Sequence, residues 1–548
     1  MDRRAGRLKR AGELERLPGG RVEQAMHTEK PTGQKRYVRN GVLHLIILAL
    51  AIAVQVVWIV LLVQELLSRY AVINTIVQVI AVIIVLAVYS SDKNSAYRLP
   101  WIVIILAFPV LGVILYAMFR LFTPTKAMEK RQAAIDEELF LHLKPDAAVA
   151  ERLQAEDQRA FNQCNYLRRY GYFPVYDDTR TSYYADTTDA LAAMKEELAK
   201  AKSFIFMEYL AIEDAEAFGE LLEIMAQKAK EGVEVRVFYD DFGSFTFINN
   251  KDFIKRMNGF GIQCRVFNPA APWLKVEMNN RDHRKMTIID GHVGFTGGYN
   301  LANEYFNYTS PYGHWKDAGL KLTGGAVRTM TVLFLEMWNA VRATDKDDEE
   351  FSKYFPEIEE ISNPEYGYVQ PYGDSPLDNE HTGENVYMNV INNAKDYLYI
   401  STPYLEITDD MNRCIGLAAK RGVDVRIITP GIPDKKLVYS TTRSYYSGLI
   451  RRGVRIFEYT PGFCHAKVFV SDDTTAVVGS INLDYRSLYL QFENAVWMYK
   501  VPAVADVRKD FEDLFPQCRE VTEKYRRENI SIWKRIWYCV LRLFAPLF

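Results

Sequence analysis

A sparse motif occurs twice in this chain, and both copies keep the same register. The first copy is His283, Lys285, Asp290, Gly297, Gly298 and Asn300, and the second is His465, Lys467, Asp472, Gly479, Ser480 and Asn482. The spacing from the His to the Gly and to the Asn is the same in both. A register repeated over so many positions is not expected by chance, so the duplication predicts one active centre assembled from two similar lobes.

The sequence around each motif copy alternates between strand and helix patterns. In the first half, we predict a strand at 203–209, a helix at 215–230 closed by Gly232, and a strand at 233–239. The second half repeats this order with a strand at 397–401, a helix at 411–421 closed by Gly422, and a strand at 423–429. Strand, helix, strand order with short links favours an α/β fold with a mostly parallel sheet in each lobe.

The residue types of the motif indicate phosphoryl-transfer chemistry. The runs MTIID and VFVSD are strand-like, so the His and Lys of each copy project from one face. Lysines and the amides of Asn300 and Asn482 are suited to the non-bridging oxygens of a phosphate, and Ser480 is a further phosphate-binding candidate. Gly297, Gly298 and Gly479 would allow the backbone to approach that phosphate closely. Two histidines can share covalent and proton chemistry because imidazole titrates near neutral pH.

Composition excludes several other classes of protein. The formal net charge is −2, so nothing global favours nucleic acid as a partner. The six cysteines are scattered without a CxxC pair or zinc-type spacing with His, and we expect neither a metal nor a cofactor. Residues 1–41 hold more than twice as many basic as acidic residues and predict a disordered basic tail.

Three apolar runs follow this tail, at 42–63, 71–89 and 99–119, and none contains a charged side chain. Each is long enough for a helix across a bilayer, which predicts a multi-pass transmembrane anchor in a cell membrane. The basic tail should stay cytoplasmic. Three full spans would place the catalytic region outside the cell, whereas a re-entrant third segment, interrupted at Pro109 and Gly112, would return it to the cytoplasm.

The remaining chain divides into a connecting segment at 120–180, a first lobe at 181–343, an acidic linker at 344–380 and a second lobe at 381–520. The final segment, 521–548, places apolar residues at helical spacing, with Lys534, Arg535 and Arg542 off that face. This pattern predicts a basic amphipathic helix lying in the headgroup layer of a membrane, with an ordinary core-packing helix as the alternative.

The motif residues and their flanks resemble those of the phospholipase D superfamily, whose signature is the doubled HxKx4D with a downstream GSxN. Within it, the stretches NNRDHRKMTIIDG, GGYNLANEY, CHAKVFVSDD and GSINLDYRS are similar to bacterial cardiolipin synthases. The resemblance runs from about residue 71 to the end. It implies two phospholipase-D-type lobes, each a mixed β-sheet flanked by helices, and a bacterial cell membrane for the anchor. Two features depart from the family pattern: Gly298 replaces a serine, and the first apolar run adds to the usual two-span anchor.

The resemblance also implies a reaction and assigns roles. One His would attack the phosphorus of phosphatidylglycerol and release glycerol, and a second phosphatidylglycerol would then take the phosphatidyl group to give cardiolipin. By resemblance His283 is the nucleophile and His465 the general acid, with Lys285 and Lys467 completing the catalytic motif. Glu493 would orient His283 and Asp317 would orient His465 from the opposite lobe.

Other acidic residues are weaker candidates. Asp290 and Asp472 belong to the motif, but we expect them to hold its turns together. Glu304 is a further candidate for orienting a histidine, and Glu208, Asp240 and Asp241 lie at predicted strand ends that face the cleft.

Several alternatives stay open. The expected partners are phosphatidylglycerol and other anionic membrane lipids, with homo-oligomerisation also possible. The motifs do not separate a synthase from a phospholipase D or headgroup-exchanging enzyme of the same class. A nuclease on this scaffold would need a basic cleft, and a non-enzymatic scaffold would not need both motif copies intact.

Overall fold

The computed structural model describes residues 57, 61, 71–91, 95–121, 125–269, 280–341, 348, 350–357, 367–378 and 380–547. The chain forms two compact units, one made of Met1–Leu86 and Ile105–Val113 and the other of Ala87–Ile104 and Ile114–Phe548. The second unit contains both motif copies. The basic tail and nearly all of the first predicted span, 42–63, lie outside the described residues.

Among the described residues, six α-helices precede the first strand. They are α1 (Ala71–Tyr89), α2 (Ser95–Ala107), α3 (Pro109–Leu121), α4 (Thr125–Leu139), α5 (Ala147–Glu156) and α6 (Gln158–Tyr170). Helix α1 has the bounds of the second predicted span. The third predicted span is two helices, because the chain breaks at Phe108 before Pro109, whose ring cannot continue a helix. In the described part of the chain, no helix combines the length and apolar character needed to cross a membrane. The prediction of a multi-pass anchor is therefore not supported.

The first lobe follows. Its elements are β1 (Thr179–Tyr184), α7 (Thr187–Lys200), β2 (Phe204–Tyr209), α8 (Glu216–Lys230), β3 (Glu234–Asp240), α9 (Asp241–Ser244), α10 (Asn250–Gly259), β4 (Gln263–Phe267), β5 (Arg281–Asp282), β6 (Lys285–Ile289), β7 (Val293–Gly297), β8 (His314–Lys316), β9 (Gly319–Gly324) and α11 (Val327–Ala340).

The second lobe repeats this plan. Its elements are β10 (Tyr368–Asp374), α12 (Thr382–Asn393), β11 (Tyr397–Ser401), α13 (Asp409–Lys420), β12 (Asp424–Pro430), α14 (Lys436–Ile450), β13 (Arg455–Tyr459), β14 (Gly462–Cys464), β15 (Val468–Ser471), β16 (Thr475–Gly479), α15 (Tyr485–Tyr489), β17 (Gln491–Tyr499), α16 (Pro502–Leu514), β18 (Cys518–Glu520) and α17 (Ile532–Phe544). Short 3₁₀ turns lie at Phe140–His142, Asn303–Phe306, Ser352–Tyr354, Phe515–Gln517, Glu523–Tyr525, Arg527–Asn529 and Ala545–Leu547.

The two sheets have equivalent strand orders. The first runs β1-β9-β7-β6-β2-β3-β4 and the second runs β10-β17-β16-β15-β11-β12-β13-β18. The predicted strand–helix–strand units are confirmed: β2 pairs parallel with β3, and β11 with β12. The helices between them end before Gly232 and Gly422, which both adopt positive φ angles that favour glycine.

The expectation of mostly parallel sheets is wrong, whereas the mixed sheet implied by the resemblance is observed. In the first sheet, only β2, β3 and β4 run parallel, while the pairs from β2 through β6, β7 and β9 to β1 are antiparallel. The motif strands β6 and β7 form an antiparallel hairpin, which the strand–helix–strand order used for the prediction does not reveal. The predicted linker is also too long, because β10 pairs with β17 and belongs to the second sheet.

Helix α11 joins the two lobes. Its residues are buried almost throughout, and it packs against β6, β7 and β9 of the first sheet and against β10 of the second. One hydrophobic core therefore contains side chains of both sheets, such as Phe206, Tyr372 and Val496, together with Met330 and Leu333 of α11. Since burial of this apolar surface is the main force holding the lobes together, their relative position is fixed by packing.

Candidate active site

Each motif copy is preceded by a short strand that pairs with the opposite lobe. Strand β5 pairs parallel with the start of β17, and β14 pairs parallel with β8. The backbone N–H of His283 donates to the carbonyl of Phe492 at 2.9 Å, and that of His465 donates to the carbonyl of Lys316 at 2.7 Å. This reciprocal exchange places each motif histidine beside the residue that follows the carbonyl acceptor in the opposite lobe.

Those following residues are Glu493 and Asp317. His283 Nδ1 lies 2.7 Å from Glu493 Oε1, and His465 Nδ1 lies 2.6 Å from Asp317 Oδ2. All four side chains are buried or nearly so. In both dyads Nδ1 is engaged by a carboxylate, which leaves Nε2 as the ring nitrogen for chemistry.

The motif lysines lie beside the histidines. Lys285 Nζ donates to the carbonyl of His283 at 2.6 Å, and Lys467 Nζ lies 2.9 Å from His465 Nε2. Burial lowers the pKa of Lys285 to about 8 and that of Lys467 to about 7. Both pKa values lie near neutral pH, so the charge of the two buried amines can change when an anion binds. A phosphate between them would favour their protonated, positively charged forms.

The first dyad favours neutral forms. Burial, followed by the positive charges of Lys285 and Lys467, lowers the pKa of His283 well below its ordinary value. Burial also raises the pKa of Glu493 well above its ordinary value, although Lys285 and hydroxyl donors oppose that shift. His283 is therefore an unprotonated imidazole near neutral pH, which is the form that can act as a nucleophile.

The second dyad keeps a charge. Burial and Lys467 lower the pKa of His465 to about 4, while Asp317 opposes them. Burial disfavours the charged form of Asp317, but the interactions with His465 and Lys467 bring its pKa below the ordinary value. The two halves of the site thus have the same residue types in different electrostatic states.

The motif aspartates do not reach the histidines. Asp290 and Asp472 follow the far ends of β6 and β15, where both adopt left-handed backbone conformations. Asp290 accepts from the N–H groups of Lys202, Ser203 and Phe204 at 2.7–2.9 Å. Asp472 does the same with the N–H groups of Lys395, Asp396 and Tyr397 at 2.9–3.1 Å. They fasten β2 and β11 to the motif turns.

The motif glycines are required by close packing between strands. A Cβ on Gly297 would lie 2.3 Å from the carbonyl oxygen of Ala318, and one on Gly479 would lie 2.4 Å from that of Asn494. Both distances are too short for any side chain. The sequence suggested that these glycines let the backbone approach a phosphate. In the structure, they instead allow close contact between neighbouring strands.

The Gly298 and Ser480 positions differ for a structural reason. The hydroxyl of Ser480 donates to Glu493 and to the carbonyl of Asn494. At the equivalent place in the first lobe, a Cβ on Gly298 would lie 2.1 Å from Asp317 Oδ1. Asp317 occupies the space that a serine at position 298 would need. The first lobe therefore combines Gly298 with Asp317, whereas the second lobe combines Ser480 with the longer Glu493.

The motif asparagines have different surroundings. Asn300 donates to the hydroxyl of Tyr305 at 2.7 Å and accepts from the N–H of Ala211 at 3.3 Å. The ring of Tyr305 lies 5.3 Å from that of His465. Asn482 Oδ1 is buried and has no hydrogen-bond partner among the described residues. Of the two motif asparagines, only Asn482 therefore has a buried side-chain oxygen without a partner among the described residues, and this oxygen is left for a ligand.

The structure does not bring the weaker acidic candidates to a histidine. Burial raises the pKa of Glu304 to about 7, but the two Nδ1 atoms are occupied by Glu493 and Asp317. Asp241 accepts from Asn250 at 2.6 Å. Within the described ranges, no three His, Cys, Asp or Glu side chains cluster so as to hold a metal ion.

Glu208 and Asp240 instead lie behind the first dyad. Asp240 Oδ2 accepts from the N–H of Asp282, the residue before His283, at 3.0 Å. Glu208 is fully buried 4.0 Å from Arg284, the residue after His283. Both acids therefore support the strand that carries His283 without contacting its ring.

Sequence reasoning missed two polar residues that support the site. Asn494 Oδ1 accepts from the N–H of Lys285 at 3.2 Å, and its amide donates to Thr296 at 2.8 Å. The hydroxyl of Ser487, on α15, donates to Glu493. Asn494 adjoins Glu493 in the sequence QFEN, which was a usable signal. Ser487 had none, because its contact depends on where α15 packs.

Comparison with known proteins agrees with this geometry. Residues 194–312 and 387–515 match the family described as "Cardiolipin synthase, PLD-like domain", and residues 76–120 match "Phospholipase_D-nuclease N-terminal". These regions include both motif copies, α2 and most of α1 and α3.

Relatives cover most of the chain. An uncharacterized protein of Streptococcus mutans is 41% identical over 84% of this chain and 99% of its own length. "Cardiolipin synthase 2" of Bacillus anthracis is 31% identical over 84% of this chain and 88% of its own length.

A solved structure shares the fold. The crystal structure of phosphatidylserine synthase from Haemophilus influenzae aligns with a TM-score of 0.50 at 16% identity, over 67% of this chain and 93% of that protein. Taken with the matched family regions and the Bacillus relative, the chain belongs to the cardiolipin synthase family and is an enzyme of the phospholipase D superfamily.

Proposed function

We propose that this protein is a cardiolipin synthase that transfers a phosphatidyl group from one phosphatidylglycerol to another. The observation that carries the proposal is the reciprocal pairing of His283 with Glu493 and of His465 with Asp317, each across the two lobes. Two imidazoles whose Nε2 atoms are not held by a carboxylate, together with two buried lysines, suit a displacement at phosphorus through a covalent intermediate.

In the first step, His283 Nε2 attacks the phosphorus and forms a P–N bond. The bond from phosphorus to the headgroup glycerol oxygen breaks, and glycerol leaves as His465 donates a proton to that oxygen. His465 takes up this proton when substrate binds, because the phosphodiester anion together with ionised Asp317 raises its pKa from the value of about 4 in the substrate-free site. Lys285 and Lys467 balance the charge on the non-bridging oxygens. His283 suits the nucleophilic role because its dyad favours the neutral imidazole.

In the second step, a headgroup hydroxyl of another phosphatidylglycerol attacks the phosphorus. His465 takes its proton, the P–N bond breaks, and cardiolipin leaves while His283 is restored. His465 suits this proton exchange because Asp317 stays ionised beside it and stabilises the imidazolium. Burial of the site limits water as a competing acceptor.

We also propose that the protein acts on lipids at a bacterial membrane. Support comes from the apolar helix α1 and from α17, whose exposed residues include Ile532, Trp533, Ile536 and Trp537. Tyr538 and Leu541 of α17 are buried toward the protein, so the tryptophan-bearing face is free of packing. Aromatic and basic residues on one helix are typical of membrane interfaces.

The direct test incubates purified full-length protein with vesicles of labelled phosphatidylglycerol, without added metal, and analyses the lipids. We expect cardiolipin and free glycerol in equal amounts. Phosphatidic acid as sole product would show a hydrolase instead, and the absence of any turnover would contradict the proposal. His283→Ala and His465→Ala should each abolish turnover, whereas His292→Ala, at an exposed histidine outside the site, should not.

A further inference from the structure

Five large apolar side chains are exposed on two equivalent segments of the lobes. They are 40–55% exposed although large apolar residues are usually buried, and they are Phe242, Phe245, Phe247, Ile432 and Leu437. The first segment, 241–249, follows β3, and the second, 431–437, follows β12. Because β3 and β12 occupy the same place in their sheets, the segments are equivalent. We call the two segments together the rim.

Each rim segment is attached to the strand that precedes a motif histidine. Asp240, which ends β3, accepts from the N–H of Asp282, the residue before His283. The N–H of Ile432 donates at 3.1 Å to the carbonyl of Gly462, which begins β14, and β14 ends immediately before His465. The rim therefore flanks the catalytic site on both sides.

The first rim segment is held in shape by its polar residues. Asp241 and Ser244 are buried, and Ser244 Oγ accepts from the N–H of Ile212 at 3.1 Å. A Cβ on Gly243 would lie 2.2 Å from the carbonyl oxygen of Leu210, so the backbone packs tightly on the lobe. Since the polar side chains face inward, the phenylalanines face out as a property of the fold.

The exposed rings are grouped. The rings of Phe242 and Phe245 lie 5.7 Å apart, and Phe242 also covers the guanidinium of Arg281 at 5.0 Å. Arg281 is the first residue of β5. Phe245 and Phe247 are further from the site and free of such contact.

The rim also has positive charge. Lys435 and Lys436 are exposed next to Leu437, and Lys251 is exposed two residues after the first segment. Exposed aromatic and aliphatic side chains beside lysines match the chemistry of an anionic bilayer surface, with hydrocarbon below charged headgroups.

We propose that the rim inserts into the surface of an anionic lipid bilayer and delivers lipid substrate from the bilayer to the cleft. This proposal rests on the proposed function, because it assumes a lipid substrate and states how that lipid reaches the cleft. Moving an acyl chain into water is unfavourable because it exposes apolar surface. A rim in the bilayer lets the headgroup enter the cleft while both acyl chains stay in apolar surroundings.

The first test measures insertion without using activity. Phe245→Trp and Leu437→Trp are prepared in the full chain and placed in vesicles of phosphatidylglycerol and phosphatidylcholine, with or without bromine on the acyl chains. Phe260→Trp is the control, because Phe260 is exposed at the opposite end of the strands, before β4. The wild-type fluorescence of the eight natural tryptophans is subtracted.

We expect brominated chains to reduce the added fluorescence of both rim variants about twofold and to leave that of Phe260→Trp unchanged. Equal quenching at all three positions, or none at the rim, would overturn the proposal. Rim fluorescence that is shielded from bromine but changes with protein concentration would show that a second copy of the chain covers the rim, which also overturns it.

The second test uses the reaction. Phe245→Ser/Leu437→Ser should reduce cardiolipin formation on vesicles at least tenfold, while its rate on monomeric short-chain phosphatidylglycerol stays within twofold of wild type. Phe260→Ser should change neither rate. Equal loss on both substrates would contradict a role in delivery. If the wild type transfers no phosphatidyl group, the proposed function fails, whereas the quenching result still decides insertion.

Discussion

His283 and Glu493 lie 210 residues apart in sequence, yet their side chains meet at 2.7 Å, and His465 and Asp317 repeat the arrangement in the opposite direction. Neither lobe contains a complete dyad. An enzyme built this way depends on the contact between lobes, so displacement of one lobe would disable both histidines together. The dyads also differ, because Glu493 favours its neutral form and Asp317 its charged form.

This difference predicts unequal effects of two matched substitutions. Asp317→Asn removes a charge that stabilises protonated His465, so we expect kcat to fall by about 10³-fold or more. Glu493→Gln replaces a carboxyl that already favours neutrality, so we expect a loss of about tenfold. Initial rates of cardiolipin formation measure both. Equal losses would show that the two carboxylates act in the same charge state.

Restoring the family serine should impair the first lobe. Gly298→Ser places a Cβ within 2.1 Å of Asp317 Oδ1, so Asp317 must move away from His465. We expect kcat to fall by about 10²-fold, in line with misplacement of a catalytic group. Gly298→Ser/Asp317→Glu recreates the Ser–Glu combination of the second lobe and serves as the comparison, whereas Ser480→Gly removes the hydroxyl that bonds Glu493 and the backbone of Asn494. If Gly298→Ser were as active as wild type, the steric explanation would be wrong.

The sequence predicted the parts of the fold that depend on local pattern. The strand at 397–401 coincides with β11, and the helix at 215–230 differs from α8 by one residue, because apolar periodicity and closing glycines are local signals. The parallel sheet was wrong because the prediction rested on the strand–helix–strand units alone, while the fully buried hairpin β6–β7 gives no local signal of strand direction. Pairing partners are set by tertiary contact.

The site was predictable to the extent that it follows from the repeat. The motif histidines and lysines are close together, and Glu493 and Asp317 lie where the resemblance assigns them, although their catalytic roles stay predictions. Ser480 and Gly297 were expected to contact phosphate, yet their contacts are with Glu493 and with Ala318. The sequence reveals residue type and spacing. The direction in which a side chain points from a turn depends on tertiary packing.

The motif aspartates should affect stability more than catalysis. Asp290→Ala leaves three backbone N–H groups without their acceptor and places alanine in a left-handed conformation. We expect a loss of about 1–3 kcal/mol in the free energy of unfolding, with kcat of the folded enzyme within about threefold of wild type. Asp290→Asn tolerates the backbone conformation and should lose less. Thermal unfolding and active-site titration separate the two effects, and a large fall in kcat at unchanged stability would contradict this role.

The lysines predict the pH dependence of kcat/KM. The pKa of Lys467 is about 7 and that of Lys285 is about 8, so both lose positive charge as the pH rises through this range. Because an uncharged amine cannot balance a phosphate, kcat/KM should fall above pH 7–8. On the acid side, the pKa of His283 lies well below its ordinary value, so the neutral nucleophile persists and kcat/KM should hold at pH 6.

Rates at limiting phosphatidylglycerol between pH 5.5 and 9 would measure this profile. Lys467→Arg keeps its charge throughout, so its profile should lose the step near pH 7 although its maximal rate is lower. A kcat/KM that rises steadily from pH 6 to 9 would indicate instead that a group must lose a proton before the reaction, and the lysines would then not be the groups that bind the phosphate in their charged form.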